Sequence, residues 1–124
     1  AADLPALVHV HLEETVRDVI GTMREFEVSQ VPVVRAEPPL RTSSEVAGSV
    51  AERELMSRAF SDPSVLDRPV AEVMSPPLPS VGLGEPVDVV VSALDMATAV
   101  LVLDGGHPVG ILTRSDLLAF LTHR

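Results

Sequence analysis

The stretch TAVLVLDGGHPVGILTRSDLLAFL, residues 98–121, decides how the rest of this chain is read. Thr98 to Leu103 is a short apolar run of the kind that makes a buried strand. Asp104-Gly105-Gly106-His107 is a tight turn, because two adjacent glycines supply the backbone angles that a two-residue hairpin connection demands. Pro108 to Leu112 returns as a second strand, and Arg114 to Leu121 closes the stretch as a helix.

Working outward, a proline-flanked strand near Leu78 to Val81 and a helix from Pro86 to Leu94 precede this stretch, proline being well suited to a first helical turn. The same order occurs earlier. Val8 to His11 is a short strand, and Glu13, Glu14 and Thr15 can cap a helix whose apolar face is Val16, Val19, Ile20, Met23 and Phe26. Val31-Pro32-Val33-Val34 reads as a buried strand with proline near its start, where a missing donor is tolerated. Residues 35 to 44 form a loop, Val46 to Val50 a further strand, and a helix follows with Leu55, Met56 and Phe60 on its buried side until Asp62-Pro63 stops it.

Overlaying the halves pairs Val31-Pro32-Val33-Val34 with Ala99-Val100-Leu101-Val102, Val46 to Val50 with Pro108 to Leu112, and Leu55-Met56 with Leu117-Leu118. The expected class is α/β, with a first repeat over 1–62 and a second over 63–124. An internal repeat this small implies that each half cannot bury its sheet face alone. The first copy carries a longer loop between its paired strands, and the second a shorter helix-to-strand connection.

Composition removes several classes of function. At 124 residues and 46% hydrophobic content the chain can build a core as one compact domain or two very small halves. A net charge of −9 and the absence of lysine oppose nucleic-acid phosphates and anionic lipid surfaces. The three aromatic residues, Phe26, Phe60 and Phe120, read as core and leave no stacking platform for single-stranded nucleic acid. No apolar run approaches the roughly 20 residues that cross a bilayer, and no leader pattern opens the chain, so a cytoplasmic protein without membrane contact is expected. The first residue is Ala1, compatible with a segment of a longer protein. With no cysteine there is no disulfide framework and no thiolate metal site.

The duplicated pattern, with Gln30 to Val34 in one copy and Gly110-Ile111-Leu112-Thr113-Arg114-Ser115-Asp116-Leu117-Leu118 in the other, resembles the CBS-domain family over nearly the whole chain. The segments Gly48 to Met56 and Val73 to Pro79 look most like the C-terminal regulatory region of bacterial cystathionine β-synthases. The resemblance implies tandem repeats, each a small mainly antiparallel sheet with two helices on one side, packed with pseudo-two-fold symmetry. It further implies a non-catalytic regulatory module that binds an adenosyl small molecule, S-adenosylmethionine or AMP/ATP, and controls an attached catalytic domain. That domain would be a pyridoxal-phosphate-dependent synthase, and the module a homodimer with no cofactor of its own.

Residue by residue, the resemblance places the ligand on Thr113, Ser115 and Asp116, with Val10, Val28, Gln30 and Val31 around the adenine. The carboxylate of Asp116 has two acceptor oxygens for a ribose diol, and Thr113 can offer its hydroxyl. Thr-x-x-Asp before an apolar helix is equally a capping box, and both roles can hold together. The matching positions in the first copy are Gly48, Ala51 and Glu54, which lack the hydroxyl and lengthen the acid, so one good site is expected. Arg114, Arg24 and Arg17 are the basic side chains able to meet phosphate, and so few of them favour S-adenosylmethionine.

Other chemistry is thin. His9 and His11 alternate along a strand and share a face, but no third metal ligand lies near in sequence, and the pair reads as surface. His107 sits in a turn and His123 is terminal; Ser115 and Asp116 have no histidine partner that would make a nucleophile. The acidic run from Glu52 to Glu54 is a solvated helix start, and the four methionines fill core. The alternatives are an AMP/ATP sensor belonging to another enzyme or a transporter, and a ligand-free dimerisation module.

Overall fold

The computed structural model describes residues 7–122, with the side chains of Phe120 and Leu121 outside the description. The expectations for His123 and for Phe120 as core therefore lie outside the described residues. Two compact units are present: one holds Val8–Glu37 and Ser44–Pro77, the other Leu7, Pro38–Ser43 and the chain from Leu78 onward.

In the first unit the order is β1 (Val10–His11), α1 (Val16–Glu25), β2 (Gln30–Val34), β3 (Val46–Ala51) and α2 (Glu52–Ser61). The sheet order is β1-β2-β3, with β1 parallel to β2 and β2 antiparallel to β3. A parallel pair needs a crossover rather than a hairpin, and α1 supplies it. The sheet is therefore mixed. Val16, Val19 and Met23 of α1 are fully buried against Val10, Val31, Val33, Val50 and Leu55. Val65 and Val70 complete that core, so the segment after α2 belongs with this unit. It is also tied by backbone bonds, from Val16 N–H to Arg68 O at 3.0 Å and from Val70 N–H to Glu14 O at 2.8 Å.

Both ends of α1 are closed by local chemistry. Thr15 is the N-cap, its hydroxyl accepting the Asp18 N–H at 3.2 Å. At the other end Val28 N–H reaches Met23 O at 3.0 Å and Glu27 N–H reaches Arg24 O at 3.3 Å, the paired bonds of a Schellman motif. Glu27 holds the left-handed position at φ 54°, where glycine is usual.

The second unit repeats the order with β4 (Ser80–Gly82), α3 (Val87–Met96), β5 (Ala99–Asp104), β6 (His107–Thr113) and α4 (Arg114–Thr122). Its sheet is β4-β5-β6, again one parallel and one antiparallel pair. Gly105 and Gly106 take φ of 58° and 85°, the signs a type I′ turn requires, so the β5–β6 connection is the expected hairpin. The buried centre is smaller: Val81, Leu94 and Val100, with Val90, Ala93, Val102, Leu112 and Leu117 packed on them. Leu40, from the long β2–β3 loop, joins this unit through its carbonyl oxygen, 3.2 Å from Nδ1 of His107.

The strand register corrects one detail of the internal alignment. Val33 lies opposite Gly48 and Val102 opposite Gly110, and each hairpin is irregular at the next step, after Val33 and after Val102. Val31 is thus the counterpart of Val100, not Ala99. The one-residue slip matters because it would put the wrong side chains on the core face. Val31 and Val100 are both fully buried.

Three expected core residues are not core. Phe26 is 55% exposed because α1 ends at Glu25 and the capping turn carries Phe26 off the buried face. Phe60 is 82% exposed in the last turn of α2, a helix that buries only Leu55. Met96, at the end of α3, is 89% exposed, whereas Met23 is fully buried and Met56 and Met74 half-buried. No helix of the described residues is long and apolar enough to cross a membrane.

Candidate functional site

The β6–α4 junction carries the Thr-x-x-Asp signature. Thr113 is the last residue of β6, opposite Ala99, and α4 begins at Arg114. The Asp116 carboxylate accepts the Thr113 N–H through Oδ2 at 2.9 Å, and the Thr113 hydroxyl accepts the Asp116 N–H at 3.1 Å. That is a reciprocal capping box in which the acid is Asp rather than Glu or Gln. The second carboxylate oxygen, Oδ1, makes no hydrogen bond among the described residues, and Asp116 and Ser115 are exposed. An exposed acceptor held by a cap is fixed in position at no further entropic cost, which suits it to receive a hydroxyl. Gly110, three residues before the end of β6, has open space where a Cβ would stand.

The corresponding junction of the first unit is built differently. Ala51 offers no side chain to cap α2, and the Glu52 N–H goes to Ser29 O at 2.9 Å. The Glu54 carboxylate accepts a long bond from the Ser75 hydroxyl at 3.4 Å. Gly48 is needed for packing: a Cβ there would stand 2.5 Å from the Ser75 carbonyl oxygen and 2.7 Å from Sδ of Met74. Ser49 and Ser75 exchange backbone bonds at 2.9 Å, and the Ser49 hydroxyl donates to Pro76 O at 2.8 Å.

The four remaining candidate residues gather in the first unit around β1 and β2. Val10 and Val31 are fully buried, their side chains consumed by the core, so only their main chain is available to a ligand. Val28, half-buried, packs on that core directly after the Schellman turn, and Gln30 opens β2 opposite Ala51. Beside them an open depression of about 330 Å³ is lined by Met23, Arg24, Glu27, Val28, Ser29 and Glu52. Thr113, Ser115 and Asp116 stand in the second unit.

Two of the three candidate arginines are engaged. Nε of Arg114 donates to Leu94 O at 2.6 Å and Nη2 to Asp95 O at 3.4 Å, closing the carbonyl end of α3. Nη2 of Arg17 meets Asp67 at 3.3 Å in an exposed pair. Arg24 lines the depression by Val28.

A cluster that local sequence reading does not find lies at the start of the first unit. Donor atoms of His9, His11 and Glu37 stand within 4.8 Å of one another. Glu37 is remote from the histidines in sequence; it arrives because β2, paired in parallel with β1 so that His11 faces Val34, runs out beside them. Parallel pairing of these two strands was the only signal that could have revealed it.

Comparison with known proteins agrees with this architecture. The family model described as "CBS domain" matches residues 1–60 and 70–123. Among solved structures, the chain is similar to a CBS domain protein from Pyrobaculum aerophilum complexed with AMP, at 23% identity and TM-score 0.72, covering 95% of this chain and 93% of that one. It is also similar to the CBS domain of a bacterial CNNM/CorC family Mg2+ transporter in complex with ATP, at 21% identity and TM-score 0.75, covering 96% and 83%. A conserved protein of uncharacterized function from Pyrococcus horikoshii matches at 24% identity and TM-score 0.75, covering 98% and 89%. With both halves matched and each built as the same strand, helix, strand, strand, helix unit, the chain belongs to the CBS-domain family as a pair of repeats.

Proposed function

We propose that this pair of repeats is a regulatory, non-catalytic module that senses an adenosine-containing ligand in the cytoplasm and passes the signal to an attached domain. The observation that carries the reading is the Thr113–Asp116 box: one carboxylate oxygen fixes the acid, and the other is presented to solvent at a strand end whose glycine leaves room for a ligand. Its counterpart, with Ala51 and Glu54, has no such box, which supports one binding position per chain. The AMP and ATP complexes of the similar proteins from Pyrobaculum aerophilum and the CNNM/CorC family support an adenine nucleoside as the common element. Val28, Gln30 and the main chain of Val10 and Val31 are the residues proposed to meet the adenine, and Ser115 to flank the ribose. A ligand regulates only by binding one arrangement of the module better than another.

Charge selects among ligands. With Arg17 and Arg114 engaged and a net charge of −9, the chain offers little to a triphosphate, which favours S-adenosylmethionine and, with it, a cystathionine β-synthase-type catalytic partner. Calorimetry with S-adenosylmethionine, AMP and ATP on the wild type and on Asp116→Ala tests this. Heat from at least one ligand that disappears in the variant is expected; silence from all three removes the sensing role, and tighter binding of ATP than of S-adenosylmethionine transfers the module to a nucleotide-regulated enzyme or transporter.

A second reading is favoured by α3, which leaves Val87, Val89, Val91 and Met96 exposed. Val87 and Val91, one turn apart on the same side of the helix, fit homodimerisation, either alongside ligand sensing or in place of it. Sedimentation over a range of concentrations, with and without ligand, separates the two.

A further inference from the structure

The histidine pair and the distant glutamate form a more complete arrangement than a surface ion pair needs. His9 and His11 flank Val10, whose side chain is fully buried on the opposite side, so alternation along the strand turns both imidazoles the same way. Their rings meet edge to face with centroids 5.0 Å apart. Nε2 of His11 is sealed from solvent and lies 2.8 Å from Oε1 of Glu37, a contact that lacks hydrogen-bond geometry. The nitrogen and the carboxylate oxygen are therefore close without pointing at each other.

The other side of the His11 ring is held. Oε2 of Glu14 accepts the His11 backbone N–H at 2.6 Å and lies 3.4 Å from Nδ1 of the same residue. A carboxylate on the Nδ1 side, away from Nε2, is the placement by which an outer carboxylate orients a metal-binding histidine. An ion held about 2.1 Å from each donor in a tetrahedral site separates those donors by about 3.4 Å. The donors of His9, His11 and Glu37 already lie within 4.8 Å of one another, so small side-chain rotations close the set.

We propose that His9, His11 and Glu37 form a binding site for a borderline divalent transition ion of the Zn2+ class, with Glu14 positioning the His11 ring. Two imidazoles and one carboxylate select such an ion over Mg2+ or Ca2+, which take oxygen donors. Three protein ligands leave a fourth position for water or an exogenous donor. The ion would pin the strand that opens the first unit to the segment leaving β2, and the site is independent of the adenosyl reading.

The test uses the whole chain, freed of any affinity tag and of bound metal by chelator, titrated with Zn2+ by calorimetry and with Co2+ by visible absorption. One ion per chain is expected, with a Co2+ spectrum of four- or five-coordinate type, no competition from excess Mg2+, and an upward shift of the melting temperature with Zn2+. His9→Gln and Glu37→Gln, both on the periphery of the fold, should each weaken binding tenfold or more, and Glu14→Gln about tenfold through loss of ring orientation. Circular dichroism confirms that each variant is folded, and Co2+ absorption reads the site even if one of them is less stable. Absence of stoichiometric binding, or binding that survives both His9→Gln and Glu37→Gln, overturns the site and leaves a histidine–glutamate ion pair only.

Discussion

Asp116 and Thr113 cap one another, the carboxylate taking the threonine N–H at 2.9 Å and the hydroxyl taking the aspartate N–H at 3.1 Å. On the proposed function, stability and ligand contact share one side chain, and substitutions can divide them. Asp116→Ala should cost about 1 kcal/mol, the usual worth of a helix cap, and abolish adenosyl-ligand binding. Asp116→Glu keeps a capping acid of the commoner length yet displaces the outward oxygen, so urea unfolding should stay within about 0.5 kcal/mol of wild type while calorimetric affinity falls. Equal losses of stability and binding in both variants would make the residue a cap and nothing more.

Glu27 occupies a position shaped for glycine. Its φ of 54° sits in the left-handed region, and the two bonds of the Schellman turn keep it there. Replacing it with glycine removes the steric cost of a Cβ in that region, so Glu27→Gly should stabilise the first unit by about 0.5–1 kcal/mol in urea or thermal unfolding. Glu27→Val, which adds branching at Cβ, should destabilise it. Because Val28 follows directly and packs on the core, the pair also reports whether the depression at Val28 is held by this turn.

Leu55 and Phe60 separate what periodicity can and cannot say. Both fall on apolar spacings in α2, yet Leu55 is 2% exposed and Phe60 82%. Leu55→Ala should cost about 2–5 kcal/mol, and Phe60→Ala less than about 0.5 kcal/mol, in equilibrium unfolding. The order of elements, the Thr15 cap and the Gly105-Gly106 turn were legible because each rests on chemistry within a few residues. Whether a helix end reaches the core was not, since it depends on where the helix stops: Phe26 follows the last residue of α1, and Met96 is the last of α3. The internal alignment pairs Val31 with Ala99 where the strand registers pair it with Val100, because two apolar runs can slide by one residue without changing character, and only their places opposite Gly48 and Gly110 fix them. Of the candidate site, the Thr113–Asp116 box could be read directly, whereas Glu37 beside His11 required the pairing of β1 with β2.

Gly48 and Gly110 hold matching places in the two hairpins, opposite Val33 and Val102, but for different physical reasons. At Gly48 an added methyl meets the Ser75 carbonyl oxygen at 2.5 Å, and backbone cannot yield as a side-chain tip can, since Ser75 is bonded to Ser49 in both directions. Gly48→Ala should therefore destabilise by about 1–3 kcal/mol. At Gly110 nothing lies within 4 Å, so Gly110→Ala should leave unfolding within about 0.5 kcal/mol of wild type or improve it slightly, alanine being the stiffer residue in the unfolded chain. If the open space at Gly110 serves a ligand that approaches the strand closely, the same stable variant should bind S-adenosylmethionine and AMP more weakly. Undiminished binding in Gly110→Ala would place the ligand away from that strand, and with it the role of the outward Asp116 oxygen would fall, since both belong to one short stretch of backbone.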